Sequence, residues 1–107
     1  MNSIKWLKKV IIQKLSFDPD NELDCLNAVK QDGYCIQYIN NPSEEIQLEA
    51  VKQNTRSIKL INNPSKEVQK LAIELSKYNI YTIALCPDWR EFAEEIMTNI
   101  MIKDIIE

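Results

Sequence analysis

The side chains able to do chemistry in this 107-residue chain are carboxylates in pairs, one dense acidic stretch, and three thiols. Glu44–Glu45 and Glu94–Glu95 are adjacent pairs. Neighbours on a helix point about 100° apart, so neither pair converges on one bond, as a hydrolytic pair must. Asp18, Asp20, Asn21, Glu22 and Asp24 carry oxygen ligands at close spacing, but the central glycine and final glutamate of a calcium loop are missing. A solvated helix start, with acids favoured by the helix dipole, is the expectation there. Cys25, Cys35 and Cys86 are scattered without a CxxC spacing, and the chain contains no histidine. That removes Ser-His and Cys-His nucleophile pairs and leaves no zinc set, so the thiols read as core residues in a reducing cytoplasm. Gly33 is the one glycine, too few for a phosphate loop. No catalytic residue, metal site or cofactor follows, and the expectation is a protein that is not an enzyme.

The elements that carry these residues are set by an internal repeat. Residues 26–47 read LNAVKQDGYCIQYINNPSEEIQ and residues 48–69 read LEAVKQNTRSIKLINNPSKEVQ, with 13 of 22 positions identical. A degenerate third copy aligns Ala28, Ala50 and Ala72, then Val29, Val51 and Ile73, then Ile36, Ile58 and Ile80, then Ile39, Ile61 and Ile83. Asp18-Pro19 stands for a worn copy upstream. Each unit reads as two helices. Asn41 and Asn63 are the expected N-caps, with Pro42 and Pro64 in the first helical position and Glu44 completing a capping-box-like start. Ile46, Ala50 and Val51 form the apolar stripe of the first helix. That helix is expected to end on a left-handed residue, Gly33 in one copy and Asn54 in the next. A short helix bearing Ile36 and Ile39, or Ile58 and Ile61, completes the unit.

One hairpin cannot bury such a stripe alone, so stacking is expected. The fold class is all-α: a right-handed stack of short helical hairpins, a HEAT-like α-solenoid fragment, closed by N- and C-terminal capping helices. The 107 residues form one domain, divided into an N-terminal capping helix (1–17), the hairpin repeats (18–86) and a C-terminal helix (87–107). Ile4, Leu7, Val10, Ile11 and Leu15 form the inner face of the first cap. Trp89, Phe92, Ala93, Ile96, Met97 and Ile100 form that of the last, and the apolar tail beyond it either covers the stack by simple core packing or forms a homodimer through this helix. Nothing approaches the roughly 20 apolar residues of a membrane span, and no secretory leader is visible, so a cytoplasmic location is expected.

The stretch from Ala28 to Gln69 resembles a family of short α-hairpin repeats with running text close to "AVKQNGYAIKYINNPSEEVQLEAV", found as tandem arrays in bacterial, phage and giant-virus proteins. The residues that match are AVKQDGY at 28–34, INNPSEE at 39–45, AVKQN at 50–54 and INNPSKE at 61–67. The resemblance implies a HEAT-like or leucine-rich-variant-like helical repeat and no particular activity. Where that family shows glycine-tyrosine, the second copy has Thr55-Arg56.

Positions that vary between copies on the short helix are the candidates for display. They are Tyr34, Arg56 and Tyr78 in one column, Gln37, Lys59 and Tyr81 in another, and Tyr38, Leu60 and Thr82 in a third. Tyr34, Tyr38, Arg56, Lys59, Tyr78 and Tyr81 are therefore the expected partner-binding residues, because tyrosine and arginine combine contact area with directional hydrogen bonds. The alternative for the tyrosines is half-buried packing between repeats. Net charge is −3 and blocky: residues 17–50 carry eight acids against Lys30, while residues 51–77 carry six bases against Glu67 and Glu74. A protein-protein interaction module is the reading that follows. Small size, an acidic balance and an abundance of isoleucine, lysine and asparagine suggestive of an AT-rich mobile genome point toward a phage inhibitor of a host defence system, anti-CRISPR-like. The alternative is a nucleic-acid-binding helical repeat using the basic stripe at 52–77, disfavoured by the overall charge.

Overall fold

The computed structural model describes residues 17–106, with side chains through residue 102; the expected capping helix at 2–15 lies outside them. All regular structure among the described residues is helical. In chain order it comprises α1 (Glu22–Gln31), the 3-10 helix η1 (Gly33–Tyr38), α2 (Glu44–Gln53), η2 (Thr55–Leu60), α3 (Lys66–Leu75), α4 (Ile80–Ala84), η3 (Trp89–Phe92) and α5 (Ala93–Ile106). Helix α2 packs against α1 and α3, and η1 packs against η2. The repeated apolar positions are the core: Val29, Ile36, Ile46, Ala50, Val51, Ile58, Val68, Ala72 and Ile73 are fully buried. Burying one of these valine or isoleucine side chains stabilises the fold by roughly 1.5–3 kcal/mol.

The caps differ from those expected. Ser43 and Ser65, rather than the asparagines, cap α2 and α3: their Oγ atoms accept from Ile46 N and Val68 N, each at 3.2 Å. Asn41 and Asn63 instead adopt left-handed backbone, with φ of 49° and 52°. Asparagine tolerates this conformation, and the proline that follows fixes the reversal between hairpins. Glu44 is consequently the first helical residue and not the third. At the other end of each helix, Asp32 and Asn54 are extended and serve a second purpose. Their side chains accept from Tyr34 N and Arg56 N, both at 3.0 Å, and so start η1 and η2.

Gly33 is not left-handed either. Its small size is needed for close approach: a Cβ there would stand 2.5 Å from both Ala50 O and Ser57 Oγ. Its N–H donates to Gln53 Oε1 at 2.7 Å, and Gln53 Nε2 donates to Gln31 O at 3.4 Å, so Gln53 clamps one repeat to the next.

A second glutamine performs a similar task nearer the helix starts. Gln47 Nε2 donates to Pro42 O at 3.0 Å, while its Oε1 accepts from Ser65 N at 3.3 Å. Gln69 repeats the pattern with Pro64 O at 3.0 Å and Asp88 N at 2.9 Å. Each of these buried amides therefore joins its own turn to the following one, with both donor and acceptor satisfied. One repeat earlier Cys25 holds this position, and its Sγ lies 3.6 and 3.3 Å from Asp18 O and Pro19 O.

The third copy leaves the expected register after Ser76. Helix α3 ends in consecutive left-handed residues, Lys77 and Tyr78, with Tyr78 N donating to Ile73 O at 2.9 Å. These residues lengthen the link. Asn79, which caps α4 by accepting from Tyr81 N at 2.8 Å, stands 25 positions after Asn54 instead of 22. Ile80 is therefore 73% exposed and does not continue the buried Ile36–Ile58 column. Thr82 takes the buried place of Cys35 and Ser57, and Cys86 that of Ile39 and Ile61.

At the C-terminal end, η3 runs directly into α5 through Ala93, whose backbone is right-handed helical, so the expected helix after Cys86-Pro87 starts as a 3-10 turn. Phe92 and Ile96 are buried, whereas Met97, Met101 and Ile102 are 57%, 60% and 46% exposed. Lys66 and Lys70 pair with Glu91 and Glu95 of this segment. Hydrogen bonding and attraction to Glu91 raise the Lys66 ammonium above its ordinary range.

Candidate interaction groove

The insertion at Lys77-Tyr78 changes the surface between successive short helices. Between η1 and η2 the space is closed: Gln53 clamps Gly33, and Lys59 Nζ sits 5.7 Å from the centre of the Tyr34 ring, within cation–π range. Between η2 and α4 both features are lost. Leu75 replaces the clamping glutamine, Thr55 replaces the glycine, and the longer link sets α4 apart. A groove of about 670 Å³ opens there, with Arg56 and Lys59 on one wall and Tyr81, Ala84 and Leu85 on the other. Ser76 and Asn79 line its end.

Of the six residues expected to bind a partner, the structure brings Arg56, Lys59 and Tyr81 into this groove, and Tyr34 touches it through Lys59. Tyr81 is 80% exposed and occupies the column of Tyr34 and Arg56, the place assigned to Tyr78 by the sequence alignment. Tyr78 packs half-buried against the core and lines a separate small cleft with Phe92 and Ile96. Tyr38 is half-buried and does not line the groove. Leu85, Thr55 and Asn79 were absent from the expected set. For Thr55 and Asn79 the signal is a pattern of cap, any residue, display residue and small buried residue: Asp32-Gly33-Tyr34-Cys35, Asn54-Thr55-Arg56-Ser57 and Asn79-Ile80-Tyr81-Thr82.

The other chemical candidates are occupied locally. Asp18 Oδ1 accepts from Asp20 N at 2.9 Å, Asp24 Oδ2 accepts from Asp18 N at 3.4 Å, and Asn21 Oδ1 accepts from Asp24 N at 3.0 Å. The acidic stretch is thus a set of caps and turns. No group of acids and thiols suited to a metal ion occurs among the described residues. The three thiols are free and buried. Burial raises the pKa of each, that of Cys86 to about 11, and the acids around Cys25 and Asp32 beside Cys35 add to the rise. A thiol held neutral in this way is a poor nucleophile.

Among the described residues no helix is long and apolar enough to cross a membrane. No protein-family model matches the chain, and no curated protein and no solved structure matches it.

Proposed function

We propose that this chain is a non-enzymatic protein-interaction module that presents the groove between η2 and α4 to a partner. One observation carries the reading: Ile80 and Tyr81, at 73% and 80% exposure, are displayed on α4, the shortest α-helix of the described chain, and Leu85, which caps its C-terminal end, is 41% exposed beside them. A five-residue helix has little intrinsic stability, and large apolar side chains gathered on it favour a covering surface. The scaffold reading is a fragment of a HEAT-like α-solenoid. The recurrence of α1, α2 and α3 at a constant spacing supports it, as does an elongated outline of 51 × 27 × 18 Å. Occupying a surface of a host defence protein, as a small phage inhibitor of the anti-CRISPR kind does, is the narrower form of the proposal, and it rests on size and charge alone.

The basic stripe is less suited to nucleic acid than its composition suggests. Lys52, Lys66 and Lys70 already meet Glu49, Glu91 and Glu95. Retention of host-lysate proteins by the immobilised chain, with and without nuclease, tests the reading. A stoichiometric protein that survives nuclease, and is lost with Tyr81→Asp, is the expected result. Recovery of nucleic acid alone would transfer the function to the lysines.

A further inference from the structure

The charge distribution at the groove differs from that of the surface around it. Arg56 and Lys59 line it, and no carboxylate does. On the same positive block, Lys52, Lys66 and Lys70 each have an acid within ion-pair distance, whereas Arg56, Lys59 and Lys77 have none among the described residues, and of these three Arg56 and Lys59 line the groove. The one restraint on this pair is the Tyr34 ring beneath Lys59, which holds the ammonium at the groove edge without neutralising it. The opposite wall is apolar, formed by Tyr81, Ala84 and Leu85.

We infer that this groove receives an acidic segment of a partner protein, with a carboxylate against Arg56 and Lys59 and an apolar side chain against Tyr81 and Leu85. The inference rests on the protein-binding reading above and specifies the partner's chemistry. Charge complementarity selects the acid, and guanidinium presents a planar fork that matches a carboxylate. A nucleic-acid strand is a poorer match. Its affinity comes from many phosphate contacts, and here the groove offers two cations, in a segment flanked in sequence by blocks rich in acid. The groove also offers an apolar wall, which a phosphate backbone does not use.

The test is an NMR titration of the whole isotope-labelled chain with a short glutamate-rich peptide carrying a central leucine. The same peptide with glutamines for glutamates and a single-stranded oligonucleotide serve as comparisons. The glutamate peptide should shift the Arg56, Lys59, Tyr81 and Leu85 resonances. Its affinity should fall on the order of tenfold or more in the Arg56→Glu, Lys59→Glu double variant, whose far-ultraviolet circular dichroism and melting stay unchanged. Equal binding of the glutamine peptide, tighter binding of the oligonucleotide, or shifts absent from these residues would each overturn the inference. A lysate protein still retained by the double variant overturns it too, yet leaves the protein-binding reading standing. Retention of nucleic acid alone removes both.

Discussion

Gln69 and Asp88 exchange two hydrogen bonds across the junction between the last full repeat and the C-terminal segment. Gln69 Nε2 donates to Asp88 Oδ2 at 2.8 Å, and Asp88 N donates to Gln69 Oε1 at 2.9 Å. With its bond to Pro64 O, the fully buried amide of Gln69 holds three groups at once. Gln69→Leu leaves those groups without partners, and a buried unsatisfied group costs about 1–3 kcal/mol. Urea unfolding should show a loss of about 2–4 kcal/mol. The corresponding Gln47→Leu loss should be smaller, because that amide serves two bonds rather than three at a slightly more exposed position.

Gly33→Ala is expected to destabilise the chain by about 1–3 kcal/mol, the cost of overpacking. The added Cβ meets a backbone carbonyl, Ala50 O, which cannot rotate away as a side chain can. Thr55→Gly one repeat later should change the melting temperature far less, since that position already accommodates a Cβ. Equal effects at the two positions would contradict the close-approach account of Gly33.

Ser57 Oγ is buried without a hydrogen-bond partner among the described residues. Replacing such a hydroxyl with a smaller apolar group removes a desolvation cost and opens little space. Ser57→Ala should therefore be neutral or stabilising by about 1 kcal/mol in thermal unfolding, an unusual result for a core position. A marked loss would mean that the hydroxyl finds a partner after all.

Stability should fall as pH rises above the ordinary thiol range. The folded chain raises the pKa of Cys25, Cys35 and Cys86, the last from 9.0 to about 11. Between those two values the unfolded chain has lost protons that the folded chain keeps, so unfolding becomes more favourable with increasing pH. The contribution is fully present below pH 9 and is lost as pH passes through 11. Urea midpoints measured from pH 8 to 11 should decline, and Cys86→Ala should flatten part of that slope while lowering the midpoint throughout.

The sequence by itself determined the all-helical class, the 22-residue period and most of the core. These are local or periodic matters: apolar side chains at helical spacing, and asparagine-proline stops repeated at constant distance, act within a few residues of themselves. It also placed Arg56 and Lys59 on the exposed side of the short helix. It misassigned the caps, because asparagine and serine both suit an N-cap and the choice depends on which of them turns the chain between hairpins. Tertiary structure decided the rest. Two left-handed residues, Lys77 and Tyr78, displace α4 by three positions, so that Thr82 and Cys86 are buried where a constant 22-residue register would place Asn79 and Ile83. Gly33 owes its identity to Ala50 and Ser57 of the neighbouring repeat, and Gln69 owes its burial to Asp88. Such pairings are made by non-local packing, which no short window of sequence contains.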